Sequence, residues 1–335
     1  MKVCNLREIV IILLIVMSVI MLSSCETTPA EESVSATRLL LSTYCTITIH
    51  GSEDVDLLEQ AFELAEELES LLSMTIPGSD IYRINAAGGE PVIVDSGTIE
   101  VILAGIEFGE LSGGMFDITI GRLSRLWDFG NQERIPYEFE LILALATVDY
   151  KPIIVDAGIN TVKLENPEAW IDLGAIAKGF IADEIADFLI AKGITSALIN
   201  LGGDITTVGG RYDGNPWLVA VRNPFGSDGD WIEVLEIVDS SVAASGTYER
   251  GFDENGIHYH HILDPFTGMP VGSDVVSATV VADTAMTAEG LSTIAVLAGS
   301  DGVQDLFSNT PGFIGAVIVL DNEEVLVFGD ISFSG

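Results

Sequence analysis

The sequence predicts an α+β fold, with mixed and antiparallel sheets, flanking helices and two lobes forming a single catalytic unit. Two observations carry this prediction. Long strand-like runs are interspersed with single helical segments, and neither heptads nor an internal repeat occurs along the 335 residues.

The elements follow in order. Residues 39–49 alternate β-branched and polar side chains as a strand does, and residues 55–72 repeat apolar side chains at spacings of three and four, leaving an acidic outer face. Pro77-Gly78 marks a turn, residues 79–85 are polar, and Gly88-Gly89 turns the chain again before a helix over 96–112. Residues 148–164 read as a hairpin, 175–192 as a helix and 196–199 as an apolar strand ending in Asn200-Leu201-Gly202-Gly203-Asp204. Further strands are expected over 217–221, 232–238, 241–245 and 275–281. A helix over 282–297 and a closing hairpin over 313–327, bent at Asp321-Asn322, complete the chain.

The N-terminus predicts export. Lys2 and Arg7 precede an uncharged apolar run over 9–22, shorter than the roughly 20 residues of a membrane span, and Leu22-Ser23-Ser24-Cys25 follows. This is the pattern of a lipoprotein signal: residues 1–24 are removed, Cys25 is lipidated, residues 25–36 form an acidic tether, and residues 37–335 are the catalytic body. The protein is expected on the cell membrane, lipid-anchored and extracytoplasmic. Cys4 leaves with the signal and Cys25 carries lipid, so Cys45 stands alone among apolar neighbours as a small core residue. Against 14 Lys and Arg stand 51 Asp and Glu, a formal charge of −37, which excludes nucleic acid as a partner.

Such a charge makes each cation conspicuous, Lys178 above all. The octet Asp172-Leu173-Gly174-Ala175-Ile176-Ala177-Lys178-Gly179 lies where an extended run becomes a helix. Small residues permit close backbone approach, helix-start amides face anions, and the lysine adds charge, so the octet reads either as a pyrophosphate-binding corner or as a packing turn capped by Asp172. Asp283 and Thr287, four apart at a helix start, offer two hard oxygens on one face, as magnesium prefers, or a helix cap. His260 and His261 precede Asp264 and a turn, where a histidine either relays a proton or bonds the turn. Zinc spacings, GxSxG, a Walker loop and GxGxxG are all absent.

Taken in order, Phe116-Asp117-Ile118-Thr119, the octet, Asn200 to Asp204, Ser245-Gly246-Thr247-Tyr248-Glu249-Arg250, His261-Ile262-Leu263-Asp264-Pro265-Phe266-Thr267-Gly268, and Ala282-Asp283 with Thr287 resemble the ApbE family. The resemblance spans about residues 39–327. It implies an FAD:protein FMN transferase that uses Mg²⁺, takes FAD as substrate, releases AMP and modifies a Thr or Ser hydroxyl of an extracytoplasmic acceptor protein, such as an electron-transfer subunit. Carried over by position, Leu41, Met115, Phe116, Asp117, Asp172, Lys178 and Ile262 would contact FAD. Ala175, Asp283 and Thr287 would hold the metal, and His261, with Asp283, would be catalytic.

The chain departs from the family pattern at three places. Leu41-Ser42-Thr43 replaces Met-Gly-Thr, Thr75 stands at a position usually aromatic, and Met286 replaces a metal-binding Asp found in some members. Two other readings use the same residues: hydrolysis of FAD to FMN and AMP by water, and storage of FAD without chemistry.

Overall fold

The computed structural model describes residues 32–227 and 229–334. The signal, Cys25 and most of the tether lie outside the described residues. The chain from Ser33 onward forms one unit. Among the described residues, no helix is long and apolar enough to cross a membrane.

The unit is built on an eight-stranded sheet of order β1-β2-β6-β7-β10-β13-β14-β15, with every neighbouring pair antiparallel. Its strands are β1 (Ser33–Leu40), β2 (Thr43–His50), β6 (Ala197–Leu201), β7 (Asp204–Val208), β10 (Ser241–Gly246), β13 (Val275–Ala282), β14 (Phe313–Leu320) and β15 (Val325–Gly329). The expected single strand over 39–49 is therefore a hairpin. Its bend, Leu41-Ser42, holds φ of 54° and 58°, the paired left-handed conformation of a tight primed turn.

Because β1 starts at Ser33, residues 33–36 belong to the body rather than the tether. The stretch is polar in composition, but Val34 and Ala36 alternate inward onto the core. Across the hairpin, the Ser35 and Thr37 hydroxyls bond those of Thr48 and Thr46 at 2.7 and 2.8 Å.

Three helices cover one face of this sheet. α1 (Val55–Leu72) is capped by Asp54, which accepts the Leu57 amide at 3.0 Å, and buries Leu58, Ala61, Phe62, Ala65 and Leu72 at helical spacing. α6 (Ala177–Ala191) and α7 (Ala285–Ser308) pack beside it, and α7 kinks at Gly299. The other face carries a smaller sheet, β16-β9-β8, formed by Ser332–Phe333, Trp231–Ile237 and Trp217–Arg222. Val219, Val221, Leu235 and Ile237 of that sheet meet Val242, Val281 and Val317 of the large one. β13 is thus buried on both faces, with Ala278 and Val280 facing the helices and Val281 facing the small sheet.

The second lobe lies between β2 and α6 in the chain. It contains α2 (Asp80–Ala86), α3 (Ser96–Leu111), α4 (Gly121–Trp127), α5 (Glu138–Leu145) and a sheet of β3, β5 and β4 (Val92–Ile93, Thr161–Leu164, Ile153–Asp156). Its Ile81, Val162 and Ile171 share one apolar cluster with Ile47 and Val280, so the lobes have a common core. The polar stretch 79–85 forms most of α2, which Ser79 caps by accepting the Tyr82 amide at 3.0 Å. The hairpin β11-β12 (Gly251–Glu254, Ile257–His260), which sequence patterning did not show, packs Phe252 on Trp127 and closes beside His261. Cys45 is fully buried in the core, as expected.

Candidate active site

A cleft of ≈ 650 Å³ is walled by both lobes. That volume suits a small-molecule or cofactor site. Its walls come from the β1–β2 bend, residues 115–118, the octet, the β6–β7 turn, β8, β10, and residues 248–250 and 261–263 at the two ends of the β11–β12 hairpin.

The octet supplies the floor. The Asp172 amide donates to the Ile118 carbonyl at 2.8 Å, and Asp172 Oδ1 accepts the Gly174 amide at 2.9 Å, closing a local turn. The helix starts at Ala177, two residues later than expected. Ile176 is the cap residue, so Asp172 does not cap it. Lys178 consequently sits in the first turn, where Nζ donates to Asp204 Oδ2 at 2.9 Å and to the Glu289 carboxylate. Burial alone would lower the lysine pKa, but the attraction of Glu289 and Asp204 outweighs it and leaves the pKa raised, so the ammonium stays charged.

Glu289 also accepts the Gly179 amide at 2.7 Å. Gly179 serves packing rather than ligand approach: a Cβ there would lie 2.5 Å from Met286 Cα and 2.6 Å from the Ala285 carbonyl carbon. Asp183 accepts the Ala285 and Met286 amides at 2.7 and 3.0 Å, tying the start of α7 to α6.

Nine residues expected from the sequence line the cleft: Leu41, Met115, Phe116, Asp117, Asp172, Ala175, Lys178, His261 and Ile262. Asp117 is buried, and its oxygens accept the Thr119 amide and hydroxyl at 2.7 and 2.6 Å and the Tyr150 amide at 3.1 Å. Burial raises its pKa despite those bonds. Its carboxylate therefore shapes the loop that presents Met115 and Phe116.

Asp283 and Thr287, the expected metal pair, are not among the residues that line the cleft. Asp283 is exposed and precedes the helix; its amide donates to the Gly312 carbonyl at 2.9 Å. Thr284 is the N-cap, and its hydroxyl donates to Thr287 Oγ1 at 2.8 Å, which occupies the threonine locally. One and a half turns further on, Glu289 and Thr293 repeat the four-residue spacing, and both face the cleft. Sequence reasoning passed over them although the signal was present: a carboxylate embedded among Ala288, Gly290 and Leu291 has no solvent face to explain it.

His261 is held from β12 and the loop after it. Its amide donates to the Arg250 carbonyl at 3.0 Å, and Nδ1 lies 3.3 Å from the same oxygen. A carbonyl only accepts, so Nδ1 carries the proton and Nε2 keeps a free lone pair. Burial, reinforced by the Arg250 charge, pushes the pKa down to about 4. The imidazole is neutral at physiological pH and equipped to accept a proton. His260, by contrast, is buried and bonds the Val271 carbonyl at 3.1 Å.

The family departures have local answers. Leu41 and Ser42 adopt left-handed backbone without glycine. Met74 lines the cleft where neighbouring Thr75 does not; the Thr75 hydroxyl bonds Ser73 Oγ at 3.1 Å. Met286 is outside the wall and packs on Gly179.

Among the described residues, no group of three or more His, Cys, Asp or Glu forms a metal cage. Ala175, Asp204, Glu289 and Thr293 bring oxygen donors, the donor type magnesium takes, to the cleft wall, with Lys178 already paired to Asp204 and Glu289.

A fixed cation, hard oxygens and a neutral histidine around one cleft define an enzyme of the phosphoryl-transfer class. A sequence model of the ApbE family matches residues 41–318. FAD:protein FMN transferases of Treponema pallidum and Vibrio cholerae are 32% and 33% identical to this chain, covering 90% and 85% of it and 88% and 86% of their own lengths. Solved structures of the ApbE protein of Thermotoga maritima and of the flavin transferase ApbE of Vibrio cholerae superpose with TM-scores of 0.80 and 0.79. They are 33% and 29% identical, and cover 89% and 90% of this chain and 97% of each of theirs. The chain belongs to the ApbE family.

Proposed function

We propose that this protein is an FAD:protein FMN transferase that moves FMN from FAD to a Ser or Thr hydroxyl of an extracytoplasmic acceptor protein, with Mg²⁺, while lipidated Cys25 holds it at the membrane. The observation that carries the chemistry is His261, a neutral, partly buried imidazole with a free Nε2 in the same cleft as Lys178 and Glu289.

The acceptor oxygen attacks the FMN phosphorus. The P–O bond to the AMP phosphate breaks, a new P–O bond to the acceptor forms, and the hydroxyl proton passes to Nε2 of His261. Lys178 is fixed within the octet, where the pyrophosphate would bind, and Met115, Phe116 and Ile262 provide apolar wall for the rings.

Magnesium dependence has an electrostatic basis. The wall carries six carboxylates (Asp117, Asp128, Asp172, Asp204, Glu249 and Glu289) against three cations (Lys178, Arg222 and Arg250). An anionic pyrophosphate entering this field needs a further cation, and Ala175 with either Asp283 and Thr287 or Glu289 and Thr293 are the residues that would hold it. Bound Mg²⁺ supplies charge neutralisation on the phosphate oxygens.

AMP release from FAD, followed with and without a candidate acceptor and with chelator, tests this reading. Acceptor-dependent AMP that stops with chelator is expected. AMP formed equally without acceptor would mean that water is the true acceptor.

A further inference from the structure

Among the described residues, strand β8 (Trp217–Arg222) has a strand neighbour on one side only, β9. Trp217, Val219 and Val221 are buried, while Leu218, Ala220 and Arg222 are exposed. The same strand borders the active-site cleft, since Val219, Ala220 and Arg222 form part of its wall. Edge strands expose a row of main-chain donors and acceptors, and proteins usually blunt them with proline, lysine or inward charge. The β8 sequence Trp-Leu-Val-Ala-Val-Arg has none of these before its last residue. Arg222 ends the strand with its guanidinium carbon 5.1 Å from the Tyr248 ring, another wall residue.

We propose that the β8 edge is the docking site for the acceptor protein, which adds an extended segment as a fourth strand and so carries its Ser or Thr hydroxyl into the cleft toward His261. This rests on the transferase reading. The occupant follows from the continuity of edge and cleft: a protein substrate must thread main chain into a cavity that also holds FAD, and an extended strand is its narrowest form. Main-chain pairing supplies affinity while leaving alternate side chains free to vary. A second copy of this chain is a poor occupant, because like charges of −37 repel.

The test uses the full chain, FAD and Mg²⁺ with a pool of dodecapeptides, each carrying one central threonine in randomised flanks. FMN-bearing peptides are isolated by fluorescence and resynthesised with single backbone N-methyl groups. Methylation at every second position is expected to raise KM about tenfold, the effect of one lost main-chain hydrogen bond, with little change between. Hydrogen exchange of the Trp217–Arg222 amides should slow on peptide addition. Equal effects at all positions, or protection confined to another element, would overturn the proposal. So would unlabelled peptides alongside a folded protein of the cell extract that gains FMN. If neither peptides nor extract gain FMN, the transferase reading itself fails, and this proposal fails with it.

Discussion

His261 Nδ1 lies 3.3 Å from the Arg250 carbonyl oxygen, an arrangement that leaves Nε2 unprotonated and turned to proton transfer. As a general base His261 would act in its neutral form, which is present above its pKa. The transfer rate is therefore expected to stay flat across about pH 5–8 and to fall as pH drops through about 4. A limb centred near 6.5 in the pH–rate profile would show an imidazole that burial does not control.

Replacement of that imidazole separates chemistry from binding. His261→Ala is expected to lower the transfer rate by about 10²–10⁴, the usual contribution of a positioned base, with FAD affinity nearly unchanged. Isothermal titration beside single-turnover kinetics makes the check; an equal loss of affinity would make His261 a binding residue.

The two carboxylates at the start of α7, Asp283 and Glu289, give a paired prediction. Asp283→Ala should leave turnover within about twofold, because an exposed side chain away from the wall contributes little. Glu289→Gln should shift the magnesium dependence of the rate to higher concentration while FAD still binds. Magnesium titrations of both variants decide which carboxylate belongs to the metal.

Lys178 neutralises Asp204 and Glu289 at once. Lys178→Met leaves two carboxylates facing each other in a mostly buried site, so a stability loss of about 3–5 kcal/mol is expected at neutral pH. Added Mg²⁺ should recover part of it. Urea unfolding with and without the metal measures both effects.

Gly179→Ala tests the contact between α6 and α7. Alanine normally favours a helix interior, yet here its Cβ would strike the backbone of Ala285 and Met286, so destabilisation on the order of 1–3 kcal/mol is expected. A raised melting temperature would show that the helices separate without cost.

Legibility from the sequence followed periodicity. α1 and α3 show helical spacing, and β13 and β14 show as continuous apolar runs, so their positions could be read, whereas β7 (Asp204–Val208), which follows directly on a Gly-Gly turn, was not. The short helices α2 and α4 could not, because seven residues hold too few turns to show a period. β1 was partly hidden by Ser and Thr side chains that bond across the hairpin rather than to solvent. The site was legible where motifs are contiguous, as at the octet and His261. Spacing alone does not show that Thr284 caps the last long helix and leaves Asp283 before it, while Glu289 and Thr293 line the cleft. The partnership of Lys178 with Glu289, 111 residues apart, depends on the packing of α6 on α7 and has no local signature.

The central claim is that this cleft transfers FMN to a protein hydroxyl. Intact-mass and peptide-mapping spectrometry of an acceptor incubated with FAD, Mg²⁺ and either the wild-type protein or His261→Ala tests it most directly. The account predicts an FMN adduct on a single Ser or Thr with the wild type, absent when chelator is added and nearly absent with the variant. FAD converted to FMN and AMP with an unmodified acceptor, or an adduct formed equally well by His261→Ala, would contradict it.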